Sequence, residues 1–193
     1  MNQVQFRRMK DGTSEEYRML AELEQTYAGA LPRRLLTAME LLADSLQGYR
    51  VSRLQHSLQA ATRAERDGAD EEMIAAALLH DIGDDLAPHN HAAVAAEILR
   101  PYVRPEVTWI VEQHDVFQAY YYAHHTGGDR HARDSLRSHK WFNACAAFCE
   151  KWDQSSFDPD HDTLPLEHFE PLLTQVFRRP KDGQGSALDP LGP

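Results

Sequence analysis

Cysteine is scarce in this chain, with only Cys145 and Cys149 present. A small secreted domain stapled by disulfides would need more, and two cysteines four residues apart on a helix rarely bridge. Buried apolar packing is the expected role of both. Long apolar runs are also missing. No stretch approaches the ~20 residues that span a bilayer, and the opening MNQVQFRRMKDG lacks the apolar core of a secretory signal. A cytoplasmic setting with no membrane partner is therefore expected. Positive charge is in deficit, since 20 Lys and Arg face 30 Asp and Glu for a formal net charge of −10. That balance argues against an extended nucleic-acid footprint, which needs a basic face. Strand signals are nearly absent, with no alternating β-branched run and no Asn-Gly hairpin. There is no P-loop, no Gly-x-Gly-x-x-Gly and no Gly-x-Ser-x-Gly elbow.

What remains is helical periodicity in a chain of 193 residues, a length that suits one domain with a real core. Helices are predicted over 14–27, 31–47 and 52–67, the last stopped at Gly68. A fourth begins near Asp70, with acids in its first turn, and runs through MIAAALL into His80-Asp81, ending near Gly83. Further helices are predicted over 90–100, 105–122 (proline at its start), 139–153 and 166–178. Residues 124–138 read as a mobile connection, and the tail from Pro180 as flexible. The expected fold is an all-α bundle: a helical extension over 1–44, the main domain over 45–179 and the tail over 180–193.

The chemistry centres on His80-Asp81. Alone, the pair reads as a buried histidine beside an ordinary helix-end aspartate. Other residues change the weighting. His56 lies mid-helix in an apolar pattern, His91 opens the helix after Pro88, and His114 sits in an amphipathic helix after Trp109 and Ile110. Asp153 follows Trp152 among aromatic residues. A carboxylate is seldom fully buried unless paired or bound to a metal. Together these positions offer four imidazoles and two carboxylates, a donor set suited to a pair of transition-metal ions. Asp158-Pro-Asp160-His-Asp162 does not make a calcium loop, because Thr163 and Phe169 stand where Gly and Glu are required.

The ordered set His56, His80-Asp81, His91, His114 and Asp153 resembles the H…HD…H…H…D signature of the HD-domain superfamily, over roughly residues 45–178. The resemblance implies a helical bundle with a dinuclear centre. His56, His80, Asp81 and Asp153 would serve one metal, and His91, His114 and a bridging Asp81 the other. Most of the superfamily are phosphohydrolases, and a smaller branch contains diiron oxygenases. The segment LQHSLQAATRAERDGADEEMIAAALLHDIGD is similar to the branch that cleaves carbon–phosphorus bonds. That similarity implies two irons in a mixed-valent Fe(II)/Fe(III) pair, no organic cofactor, and a small organophosphonate and dioxygen as reactants. A phosphohydrolase of a small phosphomonoester or nucleotide is the competing expectation. A degenerate module that only binds a ligand is a third.

Substrate-contact candidates are Tyr49, Asp84, Gln118, Tyr121 and Lys140. Relatives often carry His or Lys three residues after the HD aspartate, where this chain has Asp84, and a basic residue where it has Gln118. The Tyr-and-Glu gate of relatives is matched only by Tyr49. Acids together with Tyr120, Tyr121 and Tyr122 suggest a box for an ammonium group, so the expected substrate is a 1-hydroxylated phosphonate bearing an amine or trimethylammonium group. The basic segment containing Arg130, Arg133, Arg137 and Lys140 is the expected source of positive charge for the phosphonate.

Overall fold

The computed structural model describes residues 3–178 of the chain. Eight α-helices and several short 3-10 turns make up the secondary structure of those residues, with no strand among them. The helices are α1 (Ser14–Gly29), α2 (Leu31–Leu41), α3 (Arg53–Arg66), α4 (Glu71–Leu79), α5 (His91–Leu99), α6 (Pro105–Tyr122), α7 (Phe142–Phe148) and α8 (Glu170–Val176).

Local chemistry explains where they start. Thr13 with Glu16 and Ser52 with Gln55 form reciprocal capping boxes at α1 and α3, each satisfying two orphan amides. The Asp70 side chain accepts the Met73 N–H at the start of α4. Gly68 turns the chain between α3 and α4 at φ +74°, a conformation that disfavours any residue with a Cβ.

Packing then sets the layers. The helices α3 and α4 lie against each other, and Ala60, Ala61, Ala64, Ala75, Ala76 and Ala77 on them are all fully buried. Small side chains let the two backbones approach closely. The α5–α6 pair forms a second layer, and α7 packs on α6. Leu35, Met39 and Leu42 of the α2 region enter the same core as Leu78, Ile110, Phe148 and Leu173. By contrast α1 buries no residue.

Several elements differ from the sequence expectation in ways that matter for the site. The second helix stops at Leu41 and continues as a 3-10 turn, Leu42–Asp44. The HD pair stands beyond its helix: α4 ends at Leu79, His80 caps it, and Asp81 lies in the following turn. Residues 124–138 include the 3-10 turn Ala132–Leu136, and Arg130 and Arg133 lie over the Tyr120 ring at 4.4 and 3.7 Å. The helix expected over 139–153 is the short α7 followed by a π-helical turn, Cys149–Asp153. Its extra residue per turn, visible as Gln154 N–H donating to Cys149 C=O at 2.9 Å, changes the direction in which Asp153 leaves the helix. The last predicted helix is a 3-10 turn (Leu166–Phe169) leading into α8. The tail expected from Pro180 lies outside the described residues.

Candidate metal centre

The six histidine and aspartate positions come from five places in the fold: His56 from α3, His80-Asp81 from the turn after α4, His91 from the start of α5, His114 from α6, and Asp153 from the π turn. All except His91 are buried. Their donor atoms converge. His56 Nε2 lies 3.0 Å from His80 Nε2, 3.5 Å from Asp81 Oδ2 and 3.3 Å from Asp153 Oδ1. On the other side of Asp81, Oδ1 is 3.3 Å from both His91 Nε2 and His114 Nε2. Asp81 thus presents one oxygen to each half of the cluster. Three sets of donors close enough for a single ion overlap on these residues: His56, His80 and Asp81; His80, His114 and Asp153; and Asp81, His91 and His114.

The imidazoles are held in one orientation. His80 Nδ1–H donates to Ala77 C=O at 2.8 Å, His114 Nδ1–H to Val111 C=O at 2.7 Å, and His56 Nδ1–H to Ser156 C=O at 3.0 Å. With Nδ1 carrying the proton, each Nε2 turns a lone pair toward the carboxylates and toward its neighbours. Lone pairs facing carboxylates repel unless a proton or a cation lies between them. Burial works against a charged His114 ring, but the hydrogen-bonded Asp81 carboxylate overrides it and lifts the pKa to about 9. At His80 burial prevails and the pKa falls to about 4. Burial also opposes the charge on Asp81, yet the surrounding imidazoles hold its carboxyl well below the usual range. Asp153 Oδ2 is a buried acceptor with no hydrogen-bond partner. A divalent cation satisfies the lone pairs and this orphan oxygen together, so the residues present fit a metal pair.

The other sequence candidates fall in different places. Gln118, one turn beyond His114 on α6, donates its Nε2–H to Asp153 Oδ1 at 2.9 Å. Asp84 is ion-paired at 3.0 Å with Arg53, so its negative charge is already answered. Tyr49 is exposed and packs 5.2 Å from the Phe157 ring. Tyr121 is partly buried and Tyr122 is exposed, and burial pushes both phenols up. Lys140 is exposed, its ammonium 4.2 Å over the Trp141 ring. Both cysteines are buried and unbridged.

Arg53 and Phe157 escaped the sequence analysis. The Arg53 guanidinium lies 3.6 Å from Asp81 Oδ2 and 5.2 Å over the Tyr49 ring. Phe157 stacks on His56 at 4.4 Å and shields it. A signal for Arg53 was available: it precedes His56 by three residues, which places both on one face of α3. Phe157 lies 101 positions beyond His56 in a loop, and nothing local links the two.

Two curated relatives are each 36% identical to parts of the chain. One is the [1-hydroxy-2-(trimethylamino)ethyl]phosphonate dioxygenase (glycine-betaine-forming) of Leisingera caerulea, aligned over 84 residues, 38% of this chain and 43% of that protein. The other is the hydroxymethylphosphonate dioxygenase of Gimesia maris, aligned over 90 residues, 39% of this chain and 45% of that protein. The matches thus span less than half the length of either relative. A family model described as HD domain matches residues 53–153, more than half of the chain and the full span from Arg53 to Asp153. The chain belongs to the HD domain family.

Proposed function

We propose that this protein is a diiron oxygenase that cleaves the carbon–phosphorus bond of a small 1-hydroxylated phosphonate bearing an amine or trimethylammonium group. The observation that carries the proposal is the two-sided Asp81: one carboxylate oxygen faces His56 and His80, the other His91 and His114. Four imidazoles and two carboxylates suit iron, with His56, His80, Asp81 and Asp153 around one ion and Asp81, His91 and His114 around the other. When bound, the metal pair supplies Lewis acidity and one-electron chemistry with dioxygen. The printed names of both relatives supply the phosphonate and dioxygenase parts of the reading. In overall balance, one hydroxyalkylphosphonate and one dioxygen give one carboxylic acid and one phosphate.

The chain's own residues take distinct parts. Arg53, beside Asp81 and Asp84, is placed to receive a phosphonate oxygen through charge-assisted hydrogen bonds. Phe157 keeps water from the outer side of His56. Tyr49, whose ring lies beside Arg53, would border the ammonium end. Residues 45–179 make up the catalytic unit in this reading, with 1–44 as an extension whose α2 is anchored in its core. Among the described residues no helix is long and apolar enough to cross a membrane, and the partners proposed are only the small substrate and dioxygen.

The test is phosphate release by iron-reconstituted protein, supplied with 1-hydroxy-2-(trimethylammonio)ethylphosphonate, its primary-amine counterpart or hydroxymethylphosphonate. Phosphate that appears in step with dioxygen uptake, and not under argon, is the expected result. Equal release under argon would rule out the oxygenase, and release from a phosphomonoester under argon would make the chain a metal-dependent phosphohydrolase instead.

A further inference from the structure

Gln118 holds an unused acceptor beside the metal centre. Its amide has only one sensible orientation, because Nε2 lies 2.9 Å from the Asp153 carboxylate and an amide oxygen there would be repelled. Oε1 therefore points the other way. That oxygen is buried and receives no hydrogen bond. The two heteroatoms share one carbon, so Oε1 is fixed next to the Asp153 end of the cluster, one helical turn beyond His114. A buried acceptor left unmade is costly, and each unexplained one calls for a partner.

We propose that Gln118 selects the substrate by accepting a hydrogen bond from an O–H or N–H group of the ligand. The inference deepens the phosphonate reading and rests on it. A bare acceptor repels an ionised phosphonate oxygen and gains nothing from the methyl groups of a quaternary ammonium. A carbinol hydroxyl or a protonated primary amine satisfies it. The phosphonate is thereby kept away from Gln118 and the donor group toward it, which fixes the direction in which the substrate lies in the site.

The experiment is anaerobic calorimetric titration of the iron-loaded protein, so that binding is read without turnover. Three ligands serve: 1-hydroxy-2-aminoethylphosphonate, its N-trimethyl analogue without N–H, and 2-aminoethylphosphonate without the hydroxyl. The same series is run on Gln118→Lys, which keeps a donor for Asp153 but offers no acceptor, with iron content measured for both proteins. In the wild type, removal of the donor that meets Gln118 should weaken binding about 5- to 150-fold, the cost of one buried acceptor left unmade. Which analogue suffers tells whether hydroxyl or amine is the partner. In Gln118→Lys that ratio should fall to near unity. Equal wild-type affinity for all three ligands overturns the inference while leaving the phosphonate reading intact, and so does an unchanged ratio in the variant. If no phosphonate binds, the phosphonate reading itself fails, and the inference with it. Equal wild-type affinities overturn the inference even if the lysine variant loses its iron, and the ratio is then read in Gln118→Met, which also offers no oxygen acceptor.

Discussion

Asp81 is crowded by partners. It lies within 3.6 Å of His56, His80, His91, His114 and Arg53, and it is buried. A carboxamide keeps its shape but loses the charge and one acceptor, so it cannot serve two cations. Asp81→Asn should therefore lower metal affinity by at least ~100-fold, beyond the range seen for outer-shell changes, with iron per chain measured after reconstitution as the check. Arg53 predicts a different outcome, since it touches the carboxylates and not the imidazole nitrogens. Arg53→Gln should retain iron while raising KM for a phosphonate about 10- to 150-fold, the worth of a charge-assisted hydrogen bond. At this scale the six His and Asp positions were legible because residue type, order and improbable burial could be read together. Arg53 was overlooked in favour of the arginines near residue 130, two of which instead lie over Tyr120. Composition shows where cations occur in the chain, and only helical facing shows which one turns toward the site.

Elements carry the ligands, and the joint between α4 and α5 is tight. A Cβ at Gly83 would meet the His91 carbonyl oxygen at 2.9 Å and Val94 Cβ at 2.9 Å, contacts that require backbone to move. Gly83→Ala should cost about 1–3 kcal/mol, as overpacking commonly does, and should displace His91 from Asp81. A lowered melting temperature together with loss of iron from the His91 side would bear this out; an unchanged melting curve and full iron content would not. The start of α4 gives a milder case. Asp70→Ala removes an N-cap and should cost about 1 kcal/mol without changing metal content. Helix interiors were legible from apolar periodicity and caps, and their ends less so. The π turn before Asp153 left no mark in the sequence, because one extra residue in a helical turn changes direction without changing composition. The same holds for His80-Asp81, which the pattern kept on the helix and the structure puts just past its end.

Across the whole molecule, the centre ties α3, α5 and α6 to the turn after α4 and to the π turn, joining residues as far apart as His56 and Asp153. Such closure over long stretches of chain is invisible locally; only the ordered signature gave notice of it. A metal that binds the folded chain and not the unfolded one stabilises by mass action, about 4 kcal/mol at a thousandfold excess over Kd. For a chain of this size that corresponds to roughly 8–16 °C in Tm, so a chelator should lower the melting temperature by that order, and re-addition of iron should restore it. The central claim is that one carboxylate joins two metal sites. Its most direct test is the iron content of wild-type protein reconstituted under argon, read beside the electron paramagnetic resonance of the half-oxidised sample. Two irons per chain with the signal of a coupled mixed-valent pair are expected. A single iron per chain with an isolated ferric signal would contradict it.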